Sequence, residues 1–215
     1  MIIERICDTT ETNGLLSVTV SEEHSGGREM FLLSAGEWKR LIPRLGYCPG
    51  TGEPVTEALY DALRESAERT AALRECGRYL SSRDRSEREI RRRMGEKGIG
   101  REAADYAIGV LRKRGYLNEE AASERLAQNL VRSSHYGRRR IAAYLISHGY
   151  PADTAREAAD AIPKEDVAEA LRWQMARKKA PDAADQGAMQ KWMASLMRLG
   201  FTAEEIRREM KESRQ

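Results

Sequence analysis

The sequence predicts a mainly α-helical fold: tandem three-helix, helix-turn-helix-like repeats in an elongated curved array, with a small β-containing N-terminal region. Three observations predict it. Residues 1 to about 45 hold short β-branched runs separated by turn-formers. From about Pro54 onward the apolar residues recur at helical spacing. Within that helical part, residue types repeat at an interval of 51. Composition agrees, because 33% charged and 6% aromatic residues suit surface helices over a thin core.

The elements follow in chain order. Ile2-Ile3-Glu4-Arg5-Ile6, Leu15 to Val20 and Met30-Phe31-Leu32-Leu33 read as three short antiparallel strands. Thr12-Asn13-Gly14 and Ser25-Gly26-Gly27 supply the turns between them. Ser34, with Glu37 three residues on, has the pattern of a helix N-cap and capping box. Trp38, Leu41, Ile42 and Leu45 then follow at helical spacing. Pro49-Gly50-Thr51-Gly52 is a linker. The predicted organisation is a β-rich region with one helix over 1–53 and a connecting helix over 54–70. Three-helix repeats then cover 71–117, 118–163 and 164–215.

The repeat is explicit in the residues. Ile90, Met94, Gly98 and Ile99 match Ile141, Leu145, Gly149 and Tyr150, and then Trp192, Leu196, Gly200 and Phe201. The next helix keeps the interval, with Ala104, Ala155 and Ile206, then Ile108, Ala159 and Met210. The preceding helix matches more loosely, Tyr79 and Leu80 against Leu130 and Val131. An interval of 51 residues holds three short helices. Each glycine is expected at positive φ as a helix stop, with the following apolar residue packing back on the last turn. Tandem units of this kind bury their open faces on one another. The alternative is a single irregular helical bundle.

Charge is unevenly spread. The chain carries +3 overall, but residues 1–70 hold −5, residues 71–140 hold +8 and residues 141–215 balance to zero. A concentrated basic excess points to a polyanion partner. Cys7, Cys48 and Cys76 are an odd number with no close pair, so neither a disulfide framework nor a zinc ribbon is expected. Met1-Ile2-Ile3-Glu4-Arg5 lacks the apolar run of a signal peptide. No stretch nears the ~18 apolar residues of a membrane span. A cytoplasmic protein with no membrane partner is expected. His24, His135 and His148 stand in no ligand or triad spacing, and no phosphate-cradling glycine loop occurs. No catalytic residue, metal or cofactor is therefore expected, and the chain is not read as an enzyme.

The run Arg78-Tyr79-Leu80, Arg83-Asp84-Arg85-Ser86-Glu87-Arg88-Glu89-Ile90, and then Lys97-Gly98 resembles the signature of the RecX family of bacterial regulatory proteins. Leu111 to Leu117 is similar to that family's junction into its second module. Tyr136-Gly137-Arg138-Arg139-Arg140-Ile141 with Leu145 and Gly149 resembles its second-module core, and Leu199-Gly200-Phe201 with Ile206 its third-module ending. Two positions depart: Asn118 and Ala122 stand where the family usually has an acidic and an aromatic residue. The resemblance implies a regulator that binds the RecA nucleoprotein filament and inhibits or modulates RecA recombinase, ATPase and co-protease activity. Its partners would be the RecA filament and single- or double-stranded DNA, bound as a monomer. The alternative is a direct DNA-binding protein, non-specific or of helix-turn-helix type.

Two basic clusters are the candidate contact residues. Arg83, Arg85, Arg88 and Arg92 surround a helix start, where Arg83 and Arg85 with the helix N-terminus can hold phosphate or carboxylate. A solvated face neutralised by Glu87, Glu89 and Glu96 is the plainer reading of that cluster. Arg138, Arg139 and Arg140 open a helix after Gly137, flanked by Tyr136, and three cations there oppose the helix dipole. Both clusters are expected to form one positive surface, and the triplet is expected to contribute little to folding. Arg112-Lys113-Arg114 and Arg177-Lys178-Lys179 fall at helix C-termini, where the dipole alone favours them.

Overall fold

The computed structural model describes residues 1–9, 14–22, 26–182 and 184–212. Thr12, Asn13 and Ser25, to which the sequence assigns turns, and His24 lie outside the described residues. The chain divides into two compact units, Met1–Arg83 with Ile90–Tyr116, and Asp84–Glu89 with Leu117–Gln215.

The first unit opens with a three-stranded antiparallel sheet in the order β1 (Ile2–Thr9), β2 (Leu15–Ser21), β3 (Arg28–Ser34). Register pairs Ile3 with Val20 and Val18 with Phe31. This puts Ile3, Val18, Val20, Phe31 and Leu33 on one buried face, as strand alternation requires. Helices α1 (Ala35–Leu45) and α2 (Glu57–Leu80) cover that face through Leu41, Leu59 and Leu63. Ser34 caps α1 as its spacing predicts, its Oγ accepting from the Glu37 amide at 3.2 Å. A single helix, α2, runs through residue 70, where the sequence suggests a boundary. The propensity pattern has no break there, and Ala72 and Cys76 continue the buried stripe.

Glu37 does not close the capping box its spacing suggests: the Ser34 amide donates to Thr70 Oγ1 at 2.9 Å, and the Glu37 carboxylate turns elsewhere. It is buried, accepts a 2.5 Å bond from the Tyr106 hydroxyl, and has Arg40 at 3.8 Å and Arg69 at 4.0 Å. This ties α1 to α2 and to α4 (Arg101–Lys113). Burial, followed by the Glu37 bond, raises the Tyr106 pKa. Beyond its first turn, α3 (Glu87–Glu96) packs here through Ile90 and Met94, with Met94 Sδ 3.8 Å from Cys76 Sγ.

The second unit contains α5 (Glu119–Asn129), a π-helical turn (Leu130–Ser134), α6 (Arg138–Ser147), α7 (Ala152–Asp160), α8 (Lys164–Lys178), α9 (Gln186–Met197) and α10 (Ala203–Glu212). Its core joins Ile141, Leu145 and Tyr150 to Trp192, Leu196 and Phe201, six of the residues that define the 51-residue interval. Gly98, Gly149 and Gly200 have φ of 71°, 92° and 96° at the ends of α3, α6 and α9, as expected of the repeat. The two departures from the family pattern are accommodated. Asn118 caps α5 by accepting from the Ala121 amide at 3.0 Å, and Ala122 is buried.

Candidate partner-binding surface

The helix starts that carry the arginines are built on one repeated junction. Ser86 caps α3: the Glu89 amide donates to its Oγ at 3.2 Å, and its own amide donates to the Glu89 carboxylate at 3.3 Å. Ser86 Oγ also donates to the carbonyl of His148 at the end of α6, 2.7 Å away. One interval further on stands Gly137, whose amide donates to the Leu199 carbonyl at the end of α9, 2.8 Å away. The Arg139 amide reaches the Gly200 carbonyl at 3.3 Å. In both places the donor-rich start of one helix meets the acceptor-rich end of another, which satisfies end groups that would otherwise need water.

That junction changes the reading of the triplet. Arg138 is half-buried, donates to the Ile162 carbonyl at 2.5 Å and pairs with Glu205 at 3.5 Å. Arg140 donates to the Arg198 carbonyl at 3.2 Å and lies over the Tyr136 ring, 4.4 Å from its centroid. Tyr136 itself packs against the core. The dipole opposition inferred from sequence is therefore relieved by Glu205 and by the α9 carbonyls. The expectation that all three arginines stand apart from the fold fails for Arg138 and Arg140. Arg139 is exposed and has no ion-pair partner among the described residues.

The other cluster divides as well. Arg85 is partly buried, 3.8 Å from Glu89. Arg92 pairs with Glu96 at 3.6 Å, so the neutralised-face reading holds for it. Arg83 is exposed. The start of α3 does hold a carboxylate, but one from the same unit: the Glu87 amide donates to Glu119 at 2.8 Å. Arg88 is exposed and, like Arg139, has no ion-pair partner among the described residues. Arg83 and Arg92 fall in the first unit, and Arg85, Arg88, Tyr136 and the triplet in the second.

Beside Arg139, helices α6 and α7 enclose a hollow of about 420 Å³. Ala142, Ala143 and Ile146 give it an apolar lining, and Arg138, Arg139 and Arg156 with Asp160 supply the charge. Sequence reasoning missed Arg156 because it is a lone cation, 3.0 Å from Asp153 in its own helix. Among the described residues no His, Cys, Asp and Glu side chains gather as metal ligands would, and no helix is long and apolar enough to cross a membrane.

Fold and surface together define a class: a helical-repeat protein presenting arginines from equivalent helix starts. A family model described as RecX, first three-helix domain, matches residues 72–109. The regulatory protein RecX of Stenotrophomonas maltophilia (strain K279a) is 31% identical over 150 residues, 67% of this chain and 88% of that protein. The regulatory protein RecX of Herminiimonas arsenicoxydans is 28% identical over 134 residues, 62% of this chain and 87% of that protein. A solved regulatory protein RecX superposes with a TM-score of 0.73 at 16% identity, covering 98% of this chain and 100% of that one. RecX from Lactobacillus salivarius gives 0.60 at 17% identity, covering 67% and 96%. The chain belongs to the RecX family, a family of regulatory proteins.

Proposed function

We propose that this RecX-type regulator binds the RecA nucleoprotein filament and inhibits or modulates RecA recombinase, ATPase and co-protease activity. Helices α2–α4, α5–α7 and α8–α10 serve as its three modules. One observation carries the reading at residue level. Arg88 and Arg139 are 51 residues apart, each is the second residue of its helix, and each is exposed without an ion-pair partner among the described residues. Two cations held out at equivalent repeat positions suit a partner that is itself acidic and periodic, such as a protein filament on DNA. The third repeat has the uncharged Gln190 at that position. The hollow next to Arg139 adds apolar surface ringed by charge, the composition of a protein contact. DNA phosphates join the contact but bind weakly alone.

The test is the RecA ATPase rate on single-stranded DNA as this protein is added. The wild type should change the rate in a concentration-dependent way. The double variant Arg88→Ala, Arg139→Ala should need a higher concentration for the same effect while melting as the wild type does. No response of RecA to the wild type would end the reading. DNA affinity that does not tighten when RecA is added would favour a direct DNA-binding protein instead.

A further inference from the structure

Helix α5 passes without a stop into the π-helical turn Leu130–Ser134, which ends on His135 at φ 53°. A non-glycine residue holds that conformation only where its surroundings over-determine it, and π turns recur at functional sites. Here the buried Gln174 donates its amide to the His135 carbonyl at 3.2 Å and reaches that of Ser134 at 3.5 Å. The imidazole is thereby laid flat on the indole of Trp173, with ring centroids 4.0 Å apart and planes 18° from parallel.

This stack is not core. Trp173 is 42% exposed, whereas Trp192 is 7% exposed and Trp38 is half-buried. The Arg177 guanidinium stands 5.4 Å from the indole centroid, and the exposed Lys178 and Lys179 follow it. His135 also lines a hollow of about 320 Å³, together with Arg132, Asp166 and Glu169. Burial does not account for a stack whose outer ring, Trp173, is exposed and whose half-buried inner ring, His135, is held at positive φ.

We propose that His135, Trp173 and Arg177 form a stacking platform for the bases of single-stranded nucleic acid. Every unpaired base offers a π-face, and exposed aromatics beside cations bind such strands with little regard to sequence. Arg177, Lys178 and Lys179 lie along the end of α8 to meet the phosphates. Asp166 is held by Arg132 at 3.6 Å, and carboxylates at this hollow accept from N–H groups on base edges rather than contact the backbone. Duplex bases are already stacked and have no free face for the platform. The site is separate from the α6–α7 hollow and does not rest on the RecA reading.

The experiment uses the full chain and a labelled oligothymidylate, read by tryptophan fluorescence and by anisotropy. The wild type should bind with quenched emission, and a duplex of similar length should not quench. Trp173→Ala should remove the quench and weaken binding about tenfold, the typical effect of losing one stacked base. Trp173→Phe keeps a ring and should restore most of the affinity. Arg177→Ala should weaken binding and flatten its salt dependence. Far-UV circular dichroism checks that the variants fold. A folded Trp173→Ala variant with unchanged oligonucleotide affinity would overturn the proposal. So would a Trp173→Ala variant that binds the oligonucleotide normally but loses affinity for a protein filament, since the stack would then be a protein contact.

Discussion

Arg138 gives its guanidinium to the Ile162 carbonyl and to Glu205, while its neighbour Arg139 has no such partner among the described residues. The two substitutions to alanine should therefore separate in urea unfolding. Arg138→Ala should cost about 1.5–3 kcal/mol, because a partly buried charged hydrogen bond is lost. Arg139→Ala should stay within about 0.5 kcal/mol, as surface changes do. Equal stability losses would show that the junction does not depend on Arg138. The sequence could locate the triplet but could not divide it, because the division depends on Glu205 and Ile162, which approach only in the folded chain. Cys76 gives a second test at this scale. Burial pushes its thiol from a usual value near 9 up to about 11. The neutral thiol is favoured in the fold, so its contribution to stability is complete below pH 9 and is lost as pH rises towards 11. A thiol reagent at neutral pH should modify the exposed Cys48 and leave Cys76 until the protein unfolds.

The helix stops share a conformation but not a neighbourhood. A Cβ on Gly200 would lie 2.4 Å from the Arg140 amide nitrogen, and one on Gly149 would lie 2.7 Å from Arg88 Cβ. One on Gly98 would meet nothing within 4 Å. Valine at Gly98 should thus cost only the strain of positive φ, about 1–3 kcal/mol. Valine at Gly149 or Gly200 should cost more, since backbone or side chain must also move, with Gly200 the worst because its neighbour is backbone. Thermal melts of the three variants give the order, and a Gly98→Val variant melting lowest would refute it. At this scale much was legible. The strands, the Ser34 cap and the glycine stops follow from turn chemistry and period. The π-helical turn was not legible, because Leu130 to Ser134 continue α5 in composition and only the pull of Gln174 on the Ser134 and His135 carbonyls marks the change. Nor was the Glu37–Tyr106 bond, whose partners are 69 residues apart.

For the molecule as a whole, net charge understates the electrostatics. The +8 balance of residues 71–140 was countable from sequence, but it does not say which of the arginines behind it are already paired in the fold. Arg91 pairs with Asp105, Arg93 with Glu75, Arg125 with Asp84 and Arg138 with Glu205. Cations already paired in the fold release few counterions from a polyanion, so the count of arginines overestimates the salt dependence of binding. The slope of log affinity against log salt should instead reflect the unpaired cations that meet a phosphate. For single-stranded DNA each phosphate contact contributes about 0.7 to that slope. If Arg88 and Arg139 each meet one phosphate in the RecA filament, their joint replacement by alanine should flatten the slope by about 1.4. Replacing the paired Arg92 and Arg125 removes as much formal charge and should leave the slope nearly unchanged. Equal flattening by both pairs would mean that net charge, rather than the repeated placement of Arg88 and Arg139, governs the encounter.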